Sequence, residues 1–230
     1  YAGAEPLARE AMEGRRALFG AHAGETALSM GTVARILSGA GRKEEAEAMF
    51  KEAIAALSVA YGPEHSYVAI AMNNLGVLLQ ERGDWAGAEA AFSEALRINR
   101  KSLGPQHIDT MLVATSLARL LSTRGRFAEA ESVIGPLVDA AKTGPKSVRA
   151  GSALEAHAAA LRGLGRNAEA ADEFAAAGEI FTAAQGPGSS RALGAMESLA
   201  VEFEAMHLPD RAAQIRSDIA ARKAATKPQP

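Results

Sequence analysis

The stretch from Ala71 to Leu103, AMNNLGVLLQERGDWAGAEAAFSEALRINRKSL, predicts two amphipathic helices joined by a tight turn at Gly83. Apolar or small residues recur along both helices at spacings of three and four, which is typical of helices with one buried stripe. The recurring positions are Met72, Leu75, Gly76 and Leu79 on the first helix and Ala88, Phe92 and Ala95 on the second. We expect the helices to cross where Gly76 and Ala88 leave room, with Phe92 filling the gap.

The same unit recurs along the whole chain. The turn residue returns at intervals of 42, 42, 40 and 42, at Gly41, Gly83, Gly125, Gly165 and His207, and an alanine always follows five places later. A second glycine, between units, returns at the same intervals, at Gly20, Gly62, Gly104, Gly144 and Gly186. Two independent markers in one register indicate a repeat protein.

These residues resemble the tetratricopeptide repeat. Its first helix carries a bulky residue, a leucine, a small residue and another bulky residue, and its second helix carries an alanine, an aromatic residue and another alanine. The usual period is about 34 residues. A period of 42, the sequence Asn73-Asn74-Leu75 and linkers such as Gly62-Pro-Glu-His65 are similar to the kinesin light chain subtype. The fifth unit departs from the pattern, because Arg216 stands where the aromatic residue belongs.

The resemblance implies an all-α fold, a right-handed superhelical α-solenoid of antiparallel helix pairs with about eleven helices. We expect one array over residues 1–230, with full repeats at about 25–62, 66–104, 107–144, 147–186 and 189–224 and a tail at 225–230. Residues 1–19 match a second helix without its first. That segment is either the end of a truncated repeat, which its register favours, or a native helical cap. The polar last helix, from Pro209, suits a terminal repeat.

The composition narrows the classes of function. With 230 residues, a formal net charge of -2 and 23% charged residues, the chain lacks the excess of positive charge that general nucleic-acid binding requires. No apolar run approaches the roughly 20 residues of a membrane span. The absence of cysteine excludes disulfides, and no signal peptide is visible. The compartment stays unknown, and we favour the cytoplasm over the periplasm.

In such an array, first helices line an inner wall, where four positions per repeat are expected to be exposed. We predict that this wall binds a peptide or an extended partner segment. Asparagine amides can bond to a peptide backbone and arginines to carboxylates, which suggests an acidic partner. In the resembled subtype the asparagine pair is implicated in peptide binding, and here only the second repeat has it. The predicted partner-binding residues are Arg35, Asn73, Asn74, Val77, Gln80, Thr115, Arg119, Ser122 and Arg162.

The histidines do not predict a metal site. His65 and His107 lie one repeat apart. The width of two helices gives a separation of about 20 Å, which is too far for the two side chains to share an ion. We interpret both as turn or helix-start residues. His157 replaces a pattern leucine and is expected to be partly buried. Trp85 and Phe127 are expected to pack inside their helix hairpins.

No arrangement of nucleophile and base is visible, and no glycine-rich loop follows a strand. We therefore predict a protein that is not an enzyme and has no metal or cofactor. The leading hypothesis is a protein-interaction module. One alternative is a structural or self-association scaffold. Another is the regulatory repeat region of a larger enzyme or signalling protein.

Overall fold

The computed structural model describes residues 3–225, and over that range it contains helices and no β-strand. The helices are α1 (Ala4–Phe19), α2 (Gly24–Gly39), α3 (Lys43–Tyr61), α4 (Ser66–Glu81), α5 (Trp85–Ser102), α6 (Ile108–Thr123), α7 (Phe127–Ile134), α8 (Val138–Thr143), α9 (Val148–Gly163), α10 (Asn167–Gln185), α11 (Ser190–Ala205) and α12 (Pro209–Ala225). A 3-10 turn, Gly135–Leu137, separates α7 from α8. If α7 and α8 count as one interrupted helix, the described residues hold eleven helices. The prediction of an all-α chain is confirmed.

Short turns join the two helices of each pair. In the turn at Gly83, the N–H of Gly83 donates to the carbonyl of Gln80 at 3.0 Å, and the N–H of Asp84 donates to the carbonyl of Leu79 at 2.9 Å. Gly83 has a φ of 82°, a left-handed conformation that glycine adopts without steric cost and that ends a helix. His207 takes the equivalent place in the last pair with a φ of 58°. The register of turn residues seen in the sequence is therefore a register of helix ends.

The linkers between pairs end in residues that cap the next helix. The Nδ1 atoms of His65 and His107 accept hydrogen bonds from the backbone N–H two residues later, at 3.2 and 3.1 Å. The hydroxyls of Ser147 and Ser189 accept from the N–H three residues later, at 3.2 and 3.3 Å. Each bond satisfies a donor that a helix start otherwise leaves unpaired. The interpretation of His65 and His107 as helix-start residues is confirmed.

The described residues form two compact units, which divide between Ser116 and Leu117 within α6. The first, unit 1, holds α1 to α5 and the start of α6. Phe92 of α5 is completely buried in its core. A Cβ atom added to Gly76 of α4 would lie 2.6 Å from the Phe92 ring, so the glycine makes room for the ring as the sequence predicts. The assignment of all 230 residues to one array stays a prediction.

The second unit, unit 2, holds the end of α6 and the helices from α7 to α12. Its core includes the buried rings of Phe174 and Phe181. The helix that follows α6 is interrupted at Pro136, because proline has no N–H to donate to a helical hydrogen bond. As a result α7 has 8 residues and α8 has 6.

Phe127 makes a contact outside its own hairpin. A Cβ atom on Gly163, the last residue of α9, would lie 2.2 Å from the Phe127 ring. The ring therefore lies against a helix of the next pair, a contact that the expectation of packing inside its own hairpin did not include. In unit 1 the residue in the same register position also reaches the next pair, because Lys43 Nζ donates to the carbonyl of Glu81 at 3.1 Å. Trp85, in the same register, is half-buried.

The last helix, α12, buries little of its surface. Within residues 209–225 only Ala212 and Ile219 are buried. The predicted tail, 225–230, lies outside the described residues except for Ala225, which ends α12. No helix in residues 3–225 is long and apolar enough to cross a membrane.

Candidate functional site

The nine predicted partner-binding residues differ in exposure. Four of them, Arg35, Val77, Arg119 and Arg162, are exposed. Asn74, Gln80 and Ser122 are half-buried. Asn73 and Thr115 are buried, each with 6% of its surface exposed, and the expectation that both face solvent is wrong.

The asparagine pair is split by helix geometry. Successive residues of an α-helix point about 100° apart, so two neighbours rarely share one exposed face. Asn73 is buried, and its Oδ1 atom accepts no hydrogen bond from any residue in the described range. Asn74 lines an open cleft. The hydroxyl of Thr115 is likewise used internally, because it donates to the carbonyl of Met111 at 2.8 Å.

In unit 1, α2 and α4 form a cleft of about 250 Å³ that we call the Arg35 cleft. Its polar groups come from Thr32, Arg35 and Asn74, and its apolar groups include Leu28 and Ile70. A smaller adjoining cavity of about 190 Å³ shares Arg35 and Asn74 and reaches Val77, Ser38 and Phe50. The structure thus brings together three of the predicted residues, Arg35, Asn74 and Val77.

Arg35 is the arginine of this cleft, and its guanidinium group is available to a ligand. The side chain is exposed. Within residues 3–225 it forms no ion pair or hydrogen bond. A guanidinium group can donate two parallel hydrogen bonds to one carboxylate, and the amide of Asn74 supplies a donor and an acceptor beside it. The Arg35 cleft can therefore hold a carboxylate and a peptide group side by side.

One end of the Arg35 cleft is aromatic, which the sequence-based reasoning missed. Tyr67 lines the cleft, and its ring lies 4.8 Å from the ring of His65 and 5.2 Å from that of Tyr61. Tyr61 in turn packs where Gly24 leaves space at the start of α2. The three residues lie at or beside the linker 62–65, and the signal that could have found them is their closeness in the sequence, with three aromatic rings between positions 61 and 67.

The arginines of unit 2 are already paired. The Nη2 atom of Arg119 lies 3.0 Å from Oε2 of Glu155. Arg162 donates from Nε to Glu202, whose side chain is almost completely buried at 1% exposure. The Arg162 guanidinium also lies 4.8 Å from the centre of the Phe174 ring. Both arginines can bind a ligand only by releasing, or sharing, a carboxylate of their own chain.

Glu155 is held in an unfavourable place for a charge. Burial raises the pKa of Glu155 above its usual range, although Arg119 and Arg191 act in the opposite direction. Removal from water costs a carboxylate more than it costs the neutral acid. The pair of Arg119 and Glu155 is therefore only partly compensated.

A buried histidine lies elsewhere in unit 2. His157 has 8% of its surface exposed, as expected for a residue in a core position, and its Nδ1 atom is 3.5 Å from Oε1 of Glu173. Lys142 donates to the same carboxylate at 2.8 Å. Burial would raise the pKa of Glu173, but His157 and Lys142 together lower it below its usual range. Across residues 3–225, no group of His, Asp or Glu side chains has the arrangement of a metal site.

The sequence profile of the tetratricopeptide repeat matches residues 1–58, 54–101 and 67–133 of the chain. Together these matches span more than half of the 230 residues. The chain belongs to the tetratricopeptide repeat family. No curated protein sequence matches the chain.

Solved structures resemble this repeat protein along most of its length. BtubC (BKLC) from P. vanneervenii has a TM-score of 0.83 at 15% identity, covering 98% of this chain and 93% of that one. A P. anserina protein described as a kinesin light chain with nearly identical TPR-like repeats has a TM-score of 0.72 at 20% identity, covering 87% and 96%. YrrB, described as a TPR protein with an unusual peptide-binding site, has a TM-score of 0.56 at 19% identity, covering 86% and 87%. These likenesses confirm the α-solenoid fold class and the kinesin light chain-like repeat.

Proposed function

We propose that this repeat protein is a non-catalytic interaction module that binds an acidic peptide, or an extended acidic segment of a partner, at the Arg35 cleft. The observation that carries the proposal is the exposed guanidinium group of Arg35, which has no partner in the described part of the chain and lines the same cleft as the amide of Asn74. The family is one of interaction repeats, and YrrB, a structural relative, is described as having a peptide-binding site. Both facts support binding of a protein or peptide in general.

The acidic character of the partner follows from the chemistry of the cleft. Arg35 supplies a positive charge that no described carboxylate neutralises. Leu28 and Ile70, both partly exposed, supply apolar surface next to it. A segment with one carboxylate and a neighbouring apolar side chain would satisfy both parts, and Asn74 would bond to its backbone.

The remaining predicted residues are expected to contribute less to binding than Arg35 and Asn74. Val77 extends the apolar surface of the adjoining cavity. Gln80, Ser122 and Thr115 stay predictions. Arg119 and Arg162 would contribute less than Arg35, since a ligand must compete with Glu155 and Glu202 for them.

The test is selection of peptides from a random displayed library on the full chain, followed by affinity measurements with single variants. We expect the selected peptides to be enriched in Asp and Glu. Arg35→Ala and Asn74→Ala should each weaken binding, Arg35→Ala by about tenfold or more, as expected for an anchor residue. Arg119→Ala is the matched control for the arginine, and it should have a smaller effect.

Two results would overturn the proposal. One is selection of peptides without acidic residues. The other is an equal loss of affinity in Arg35→Ala and Arg119→Ala, which would show that the pairing seen in the structure does not decide which arginine binds. Circular dichroism spectra that overlay for the variants would show that the change lies in binding and not in folding.

A second candidate, a self-association scaffold, is favoured by α1. Leu7, Leu18 and Phe19 are exposed on this helix, and soluble proteins rarely expose several large apolar residues together. Sedimentation equilibrium of the wild type and of Leu7→Lys/Leu18→Lys tests this candidate. A monomeric wild type over the whole range of concentrations would exclude it.

A further inference from the structure

Unit 2 contains a cleft on a different set of helices. It lies between α10 and α12 and has a volume of about 410 Å³, which exceeds that of the Arg35 cleft. Its floor includes the side chains of Phe174, Met196 and Leu199. We call it the α10–α12 cleft. None of the nine predicted partner-binding residues lines this cleft.

The register of the repeats explains why this cleft is open. The position that Ile98 holds in α5 and Ile180 holds in α10 belongs to Arg222 in α12. Both isoleucines are buried, whereas Arg222 is half-buried and donates to the hydroxyl of Thr182 at 3.3 Å. The last helix therefore lacks an apolar side chain that its counterparts place in the core.

The last helix, α12, departs from its counterparts at a second apolar position. Arg216 stands at the position of Phe92, and its guanidinium group donates to Glu197 and Glu204 at the protein surface. At neither of these two positions does α12 place an apolar side chain over the floor of the cleft. Of the two arginines, Arg222 lines the cleft and Arg216 does not, so the open space is attributed to the exchange at position 222.

The rim of the cleft is acidic. Glu179 of α10 and Asp218 of α12 line it from opposite sides. Glu179 forms no hydrogen bond or ion pair within the described part of the chain, and Asp218 accepts a hydrogen bond from the neutral amide of Gln214 at 3.1 Å. Both carboxylates are thus available to a cation. Arg222 also lines the cleft and donates to the neutral hydroxyl of Thr182, so the lining carries two carboxylates and one guanidinium group.

We propose that the α10–α12 cleft is a second interaction site, which binds a partner segment carrying one bulky apolar side chain next to a lysine or arginine. The apolar side chain covers Phe174, Met196 and Leu199, and the cation pairs with Glu179 and Asp218. The volume lies in the range of about 300–1,000 Å³ found for binding pockets. The charge preference is opposite to that of the Arg35 cleft, so the two sites select different segments.

The first experiment uses four fluorescein-labelled decapeptides with a common Gly/Ser frame and central residues Phe-Lys, Phe-Glu, Ser-Lys or Ser-Glu. Binding to the full chain is followed by fluorescence anisotropy. The Phe-Lys peptide should bind the wild type most tightly, and the Phe-Glu and Ser-Lys peptides should each bind about tenfold more weakly, because one of the two contacts is missing. Equal affinity for Phe-Lys and Phe-Glu, or no binding of any of the four peptides, would overturn the proposal.

The second experiment places the site. Ala183 lines the cleft and Ala184 does not, and both are exposed on α10. Ala183→Trp should fill the cleft and abolish binding of the Phe-Lys peptide, whereas Ala184→Trp, which points about 100° away, should leave it unchanged. Glu179→Gln/Asp218→Asn should remove the preference for lysine without filling the cleft.

Two variants separate the α10–α12 cleft from the Arg35 cleft and from a dimer interface. Arg35→Ala should bind the Phe-Lys peptide like the wild type, so a failure of the Arg35 proposal and a failure of this one are distinguishable. Unchanged binding in Ala183→Trp would overturn the site. A wild type that dimerises while Ala183→Trp is monomeric would show that a second copy of the chain covers the cleft, and would replace the proposed peptide.

Discussion

Arg35 in unit 1 and Arg119 in unit 2 occupy the same register position two repeats apart. Among residues 3–225, Arg35 has no partner for its side chain, whereas Arg119 is paired. Arg119 reaches Glu155, which stands one place after the bulky residue of the next first helix. The residue at the corresponding place after Arg35 is Asn73, which is buried and carries no charge. For these two arginines, the residue one repeat later therefore decides whether the guanidinium group is paired.

The largest expected effect on stability is that of removing the paired arginine Arg162, compared with removing Arg35. Arg162→Ala would leave the carboxylate of Glu202 buried without its cation, and it should cost less than the roughly 3–5 kcal/mol of a fully buried pair, because Arg162 itself is exposed. Arg35→Ala removes no partner and should change stability by less than about 0.5 kcal/mol. Urea unfolding of both variants measures the difference.

A double variant sharpens this prediction. In Arg162→Ala/Glu202→Gln the uncompensated charge is gone, so most of the lost stability should return. Similar stabilities for the Arg162→Ala and Arg35→Ala variants would contradict the pairing described for unit 2.

The two units also differ in how well they can accommodate a side chain larger than glycine next to a buried or half-buried aromatic ring. Gly76 faces the fully buried ring of Phe92, whereas Gly163 faces the half-buried ring of Phe127. A Cβ atom clashes with the ring in both cases, but only Phe127 can swing toward solvent. Gly76→Ala should cost about 1–3 kcal/mol by overpacking. Gly163→Ala should cost less, because the half-buried Phe127 ring can move away from the new methyl group, whereas the gain in helix propensity, up to about 1 kcal/mol, opposes the clash at both glycines. Thermal unfolding of the pair checks the order, and a larger loss at Gly163 would refute it.

The smallest effects concern two glutamates of unit 2 whose pKa values move in opposite directions. Burial raises the pKa of Glu155 above the ordinary value of 4.5, so its contribution to stability is complete below that pH and is lost as the pH rises through the shifted pKa. The pKa of Glu173 is lowered despite burial, by His157 and Lys142, so its contribution is present above pH 4.5 and is lost as the pH falls.

Substitution of each glutamate by glutamine should distinguish their opposite effects on the pH dependence of stability. Relative to the wild type, Glu155→Gln should gain stability as the pH rises above 4.5. Glu173→Gln should lose stability at neutral pH and approach the wild type in acid. Denaturation curves measured from acid to neutral pH test both signs, and parallel curves for the two variants would contradict the assignment.

The fold could be predicted from the sequence because the same turn and packing residues recur at a nearly constant interval. The turn at Gly83 and the close contact of Gly76 with Phe92 follow from residue size and backbone freedom, which a pattern shows directly. The caps at His65 and His107 follow from their place before a helix. Such features depend on local chemistry, so one sequence is enough.

The candidate site was predictable only in part. Counting positions along a helix did not separate Asn73 from Asn74, because the burial of Asn73 depends on how closely neighbouring helices pack. Nor did it show that Phe127 reaches Gly163, a contact between pairs. The pairing of Arg119 with Glu155 was within reach, since the two residues are 36 apart, about one repeat minus one helical turn.

The interruption at Pro136 has a consequence for the order in which unit 2 opens. With 6 residues, α8 is too short to be stable by its own hydrogen bonds, since isolated helices need about 12–15. Its buried residues, Val138 and Ala141, and the contact of Lys142 with Glu173 hold it against the rest of the unit. Its amide protons should therefore exchange with solvent deuterium through local openings of lower free energy than those that expose the continuous helix α10. We therefore expect hydrogen exchange to show α8, which the proline separates from α7, as a segment that opens independently of α10.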